Sequence, residues 1–108
     1  MQTFNDLFRT EIRLTDERHE HIALHPEMER MMEALPRTLQ DPDTVVASRS
    51  DAAVRLYYRR FPRTPVTEKF MCVVVKVLEA NADAFIITAY LTDAIKPGER
   101  IWTAASEQ

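Results

Sequence analysis

Glycine is almost missing from this chain: Gly98 is the only one in 108 residues. Both common phosphate-cradling loops need several glycines, so nucleotide binding by a glycine-rich loop is excluded. Cysteine is as scarce. Cys72 stands alone inside the apolar run 71–75, which excludes a disulfide framework and fits a buried thiol in a reducing cytoplasm. Apolar neighbours also raise a thiol pKa, which argues against a catalytic nucleophile. No apolar run approaches the roughly 20 residues of a membrane span. Residues 1–6 show neither the basic nor the apolar segment of a signal peptide. The expectation is therefore a cytoplasmic protein without a membrane partner. No Gly/Ser-rich linker, repeat or low-complexity segment breaks the chain, so residues 1–108 read as one domain, with its core over about 10–103. Carboxylates are not clustered as a magnesium nuclease requires: Glu79, Asp83 and Asp93 fall at turns around the last long strand. No helix is basic enough to read a major groove.

The charge that is present is unevenly placed. The net charge is −3, yet residues 45–76 carry Arg49, Arg55, Arg59, Arg60, Arg63, Lys69 and Lys76 against only Asp51 and Glu68. Residues 1–43 are acidic. Screening confines each field to about 8–10 Å, so a local basic surface can hold phosphate on an acidic protein. The same charges would also serve to protect strand edges.

The residue pattern predicts helices first and strands after. Residues 1–7 read as a loose or short helical lead-in, and 10–14 as a short edge strand. Thr15 followed by Asp16 and Glu17 predicts a capped helix running to about Leu24, ended by Pro26. Pro26 opens a second helix, on which Met28, Met31, Met32, Leu35 and Leu39 form one apolar stripe. That stripe reads as core, or as a docking face if the chain is a helper or antidote subunit. Four strands follow, at 44–49, 54–61, 69–78 and 85–92, with a short closing strand or helix end at 101–103. The expected fold is α+β, with N-terminal helices packed on a four-stranded antiparallel sheet.

Period-two alternation then separates the faces. With Val54, Leu56 and Tyr58, with Met71, Val73, Val75 and Val77, and with Phe85, Ile87, Ala89 and Leu91 turned to the core, Arg55, Tyr57, Arg59, Lys76, Thr88 and Tyr90 share the other face. A bulge in any strand would rearrange this set. Hydroxyls and cations on one surface can hold a polar ligand; Thr and Tyr are also ordinary residues of a solvated strand.

All three histidines lie in 19–25. His21 and His25 are four apart and could share a helix face, but no third metal ligand has the right spacing, so neither a metal nor another cofactor is expected. Joined to the basic sheet face, a histidine makes a metal-independent ribonuclease site. The RNA 2′-OH attacks its own phosphate, so one proton must be removed, another supplied, and negative charge stabilised. On this reading His21, Lys76, Thr88 and Tyr90 are catalytic, while Arg55, Tyr57 and Arg59 bind the substrate. His25, before Pro26, anchors a helix corner.

The elements Ile12-Arg13-Leu14-Thr15, Arg18, His21-Ile22 and His25-Pro26-Glu27, then Asp41-Pro42-Asp43, Arg55-Leu56-Tyr57-Tyr58-Arg59, Val73-Val74-Val75-Lys76 and Thr88-Ala89-Tyr90, resemble the phage-associated branch of the barnase–EndoU–colicin–RelE-like (BECR) nuclease fold. The resemblance implies the same α+β architecture and an RNA-cleaving or RNA-binding role in bacterial toxin, prophage and antidote systems. It implies RNA as a partner, with an antitoxin or immunity protein as a second. It implies a site that pairs His21 with Arg55 or Arg59, Lys76, Thr88 and Tyr90. The alternative reading is an inactive RNA- or protein-binding module on the same fold.

Overall fold

A computed structural model describes residues 1–104; the far end of the expected domain, residues 105–108, lies outside the described residues. The chain starts with a strand. β1 (Gln2–Asn5) and β2 (Glu11–Leu14) form an antiparallel hairpin, where a loose or helical lead-in was expected. Asp6 closes it: its carboxylate accepts the backbone N–H groups of Phe8 and Thr10 at 2.9 and 2.8 Å. Arg9, with φ at 65°, completes the reversal.

Three short helices follow, α1 (Asp16–Ala23), α2 (Pro26–Glu29) and α3 (Ala34–Gln40). The Thr15 hydroxyl caps α1 by accepting the Arg18 N–H, and Pro26 begins α2 where its missing N–H costs nothing. Strands β3 (Thr44–Ala47), β4 (Val54–Phe61), β5 (Lys69–Leu78), β6 (Asp83–Thr92) and β7 (Glu99–Thr103) complete the chain.

These strands make one seven-stranded sheet in the order β1-β2-β6-β5-β4-β3-β7. It is mixed, because β2 runs parallel to β6 while the other neighbours are antiparallel. The expected four-stranded antiparallel sheet under N-terminal helices is therefore corrected: β3–β6 are the inner block of a larger sheet, flanked by the β1–β2 hairpin and by β7. The helices are short segments inserted between β2 and β3. β2 and β7 fall on the short strands expected at 10–14 and 101–103; β1, with Phe4 as its one apolar residue, carries no strand pattern of its own and is held by pairing with β2.

Each sheet face carries an apolar cluster. On the helical face, Ile22, Met28, Met31, Leu35 and Leu39 bury against Ile12, Val45, Tyr57, Met71, Val73, Val75, Ile86 and Ala89. The methionine stripe is thus interior, with Met28 fully buried and Met31 nearly so, which removes it as a docking face. On the opposite face, Val46, Val54, Leu56, Tyr58 and Cys72 form a second cluster, joined by Phe70, Val74, Ile87, Tyr90 and Ile95. We call this second side the open face.

That second cluster overturns the expected facing of β4. Antiparallel partners share a face, and Tyr57 is paired with Val73 while Leu56 is paired with Val74. Arg55, Tyr57 and Arg59 therefore point to the helical side, and Val54, Leu56 and Tyr58 to the open side. Choosing the more apolar row for a single core fails when each face has a core of its own. In β6 the register slips between Val74 and Val75, leaving Ile87 as the extra residue. The bulge turns Ala84 and Ile86 to the helical core and puts Phe85 and Ile87 on the other side, reversing the first half of the expected alternation.

Candidate active site on the open face

The open face carries a cleft of about 540 Å³. Its floor is apolar, formed by Val54, Leu56, Val74 and Ile87. The β3–β4 turn supplies one wall through Ser48, Arg49, Ser50 and Asp51, and Thr88, Tyr90, Lys96 and Pro97 form the other. The turn is internally braced: the Ser48 and Ser50 hydroxyls lie 3.0 Å apart, and the Asp51 carboxylate accepts the Ala53 N–H at 2.9 Å.

The β6–β7 loop arches over the far wall and is pinned at three points. The Lys96 N–H donates to the Tyr58 hydroxyl at 3.1 Å. Lys69 Nζ bonds the Asp93 carboxylate at 2.6 Å. Gly98 lies against β3 so closely that a Cβ there would meet the Ala47 carbonyl oxygen at 2.3 Å and Val46 Cγ1 at 2.6 Å. The chain's one glycine is therefore required by close approach. Through this pinning the Lys96 ammonium sits 5.9 Å from the Tyr90 ring centroid, at cation–π range.

Lys76, paired in register with Val54, reaches the cleft rim through an ion pair with Asp51. The Lys76 ammonium, and then the Ala53 N–H, hold the Asp51 carboxyl below its ordinary range. Beneath the cleft, the Cys72 thiol lies among Tyr90 and Tyr58, and burial raises it. Burial likewise pushes Tyr58 up to about 12 and raises Tyr90, reinforced by Cys72. Tyr90 therefore keeps its phenolic proton at neutral pH. The proton is there to be donated, and the burial that holds it makes the phenol a weaker acid than an exposed tyrosine.

The expected site residues divide between the two faces. Thr88 and Tyr90 line the cleft and Lys76 stands at its rim. Tyr57 is fully buried on the helical side, where its hydroxyl donates to the Asp6 carboxylate; burial and then Asp6 raise its pKa. Such a side chain cannot touch a substrate. Arg55 stacks 5.6 Å from the Phe8 ring, on that same side. Arg59 donates to the Asp41 carbonyl at 2.6 Å and to its carboxylate at 3.1 Å. His21 is exposed on α1 beside Glu17, Arg18, Glu20 and Leu24, and the neighbouring Ile22 anchors that helix to the helical core. The structure thus brings Lys76, Thr88 and Tyr90 together and leaves His21, Arg55, Tyr57 and Arg59 on the other side of the sheet.

Arg49 and Lys96 complete the cleft; from sequence Arg49 is only one of the seven cations of 45–76, at the end of an expected strand, and Lys96 carries no site signal of its own. Both lie in turns, where alternation carries no information about direction. The available signal was the lone glycine, two residues after Lys96.

A family model for phage-Barnase-EndoU-ColicinE5/D-RelE like nuclease2 matches residues 2–103, nearly the whole chain. The chain belongs to this nuclease family. No curated protein and no solved structure matches it. Among the described residues, no three His, Cys, Asp or Glu side chains converge as a metal site would require, and no helix is long and apolar enough to cross a membrane.

Proposed function

We propose that this nuclease acts on RNA at the open-face cleft, without a metal ion, by attack of the substrate's 2′-hydroxyl on the adjacent phosphate. The observation that carries the reading is the convergence of three cations, Arg49, Lys76 and Lys96, with the hydroxyls of Thr88 and Tyr90 over one apolar floor. The 2′-oxygen bonds to phosphorus and the bond to the 5′-oxygen breaks. Charge grows on the phosphoryl oxygens, where fixed cations stabilise the transition state most. The Tyr90 phenol supplies the proton to the leaving 5′-oxygen. Asp51, the one carboxylate lining the cleft among the described residues, accepts the 2′-OH proton. His21 is not needed in this scheme.

A second reading, an RNA-binding module without cleavage, is favoured by one feature. Asp51 is tied to Lys76 and held strongly ionised, which makes it a weak base. A toxin or prophage role with an antitoxin or immunity partner rests on the family's phage association alone.

The test is cleavage of bulk tRNA and ribosomal RNA by purified protein in EDTA, beside Tyr90→Phe, Lys96→Ala and His21→Ala. Cleavage by the wild type and by His21→Ala, lost in the other two, supports the proposal. Loss in His21→Ala alone would overturn the site assignment. RNA binding without cleavage would establish the module.

A further inference from the structure

We propose that the open face carries a second nucleic-acid subsite at Arg60 and Phe70, so that the ligand is a single strand of RNA running along β4 and β5. This rests on the RNA reading of the cleft. The β4–β5 register pairs Arg60 with Phe70 and places both on the side that carries Leu56 and Val74. A further cleft of about 500 Å³ opens at that end of the strands, lined from the open face by Arg60 and Phe70, and also by Asp43, Pro62 and, from the helical side, Arg59. Between the two clefts, the Tyr58 ring meets Phe70 edge-on, with centroids 6.4 Å apart.

Leu56 and Arg60 are four residue steps apart along the strand, about 13 Å at about 3.3 Å each. That span holds about four bases stacked at about 3.4 Å. Single-strand binders combine a cationic groove with aromatic platforms on which bases stack. Here Arg49 and Lys96 mark one end, Arg60 the other, and Tyr90 and Phe70 offer rings along the way. A duplex keeps its base faces stacked internally and could not use those rings.

Arg60 is available to a phosphate. Its guanidinium pairs with Glu68, and the two side chains are 61% and 48% exposed, so the pair is worth little and is readily exchanged. The Asp43 carboxylate is engaged by the Arg60 backbone N–H at 2.7 Å, which fixes the strand end and leaves the side chain free to turn. Arg59 stays committed to Asp41.

The test is fluorescence anisotropy with 2′-O-methyl RNA, which cannot be cleaved, as a trimer and an octamer. The octamer should bind about tenfold or more tightly than the trimer. Arg60→Ala should remove most of that advantage, leave the trimer unchanged, and reduce the slope of log K against log salt by about 0.7. Glu68→Gln should strengthen octamer binding by freeing Arg60. Equal binding of trimer and octamer, or an octamer indifferent to Arg60→Ala, would overturn the subsite. Cleavage of an unmodified octamer is read separately. Its absence beside the expected binding would sink the nuclease mechanism and spare the subsite; cleavage without a length effect would do the reverse.

Discussion

Tyr57→Phe separates the two possible facings of β4 more sharply than any other single change. The substitution removes one oxygen and keeps the ring. Had Tyr57 been a substrate-binding residue on an exposed face, the loss would weaken RNA binding and leave stability alone. In the structure the phenol is fully buried and donates to Asp6, itself only 5% exposed. Removing the donor leaves a buried carboxylate oxygen without its partner. Hydrogen bonds to charged groups contribute about 1.5–3 kcal/mol, and about 2 kcal/mol is a fair central value. With about 2.1 cal/mol/K of unfolding entropy per residue, a chain of 108 residues loses about 9 °C of Tm for that amount. Asp6→Ala should cost more, because it also strips the Phe8 and Thr10 amides of their acceptor. Calorimetry or thermal circular dichroism reads both, alongside anisotropy with RNA. A Tm change under about 2 °C, with RNA binding lost, would refute the reasoning and return Tyr57 to the substrate face.

Two further outcomes follow from the cleft. Gly98→Ala drives a methyl group into the Ala47 carbonyl and Val46, so it should cost about 1–3 kcal/mol and weaken RNA binding by displacing Lys96; full binding at native Tm would show that the loop position is immaterial. Lys76→Met should move the acid limb of the pH–rate profile. Lys76 holds the Asp51 carboxyl low, so the wild-type limb lies below about 4 and the variant's should rise toward that ordinary value; an unmoved limb would remove Asp51 as the proton acceptor.

What the sequence disclosed, and what it hid, follows physical lines. The Thr15 cap and Pro26 mark helix starts through local chemistry, and both are where they were read. β4 and β5 have the bounds that their apolar runs indicated, since long alternating or apolar segments carry their own signal. β1 does not, since Phe4 is its one apolar residue, and β7 was legible only as a short closing strand or helix end. The β6 bulge at Ile87 was equally silent. One extra residue in a strand reverses the facing of everything beyond it, and no residue type announces it. The candidate cleft was partly legible for the same reason. Lys76, Thr88 and Tyr90 lie on strand stretches whose facing was read correctly and now gather at the cleft. Arg55, Tyr57 and Arg59 lie on a strand with an apolar row for one core and an aromatic for the other. Arg49 and Lys96 line one cleft because β7 pairs with β3 and draws the preceding loop over the sheet.

The proposed function requires that the open face of the sheet, and not the helical layer, holds the RNA. Backbone amide shifts recorded while titrating the protein with the 2′-O-methyl octamer test it directly. Perturbations are expected at Arg49, Ser50, Thr88, Tyr90 and Lys96, continuing to Arg60 and Phe70, with α1 unmoved. Shifts centred on Arg18, His21 and their neighbours on α1, with the cleft silent, would contradict it.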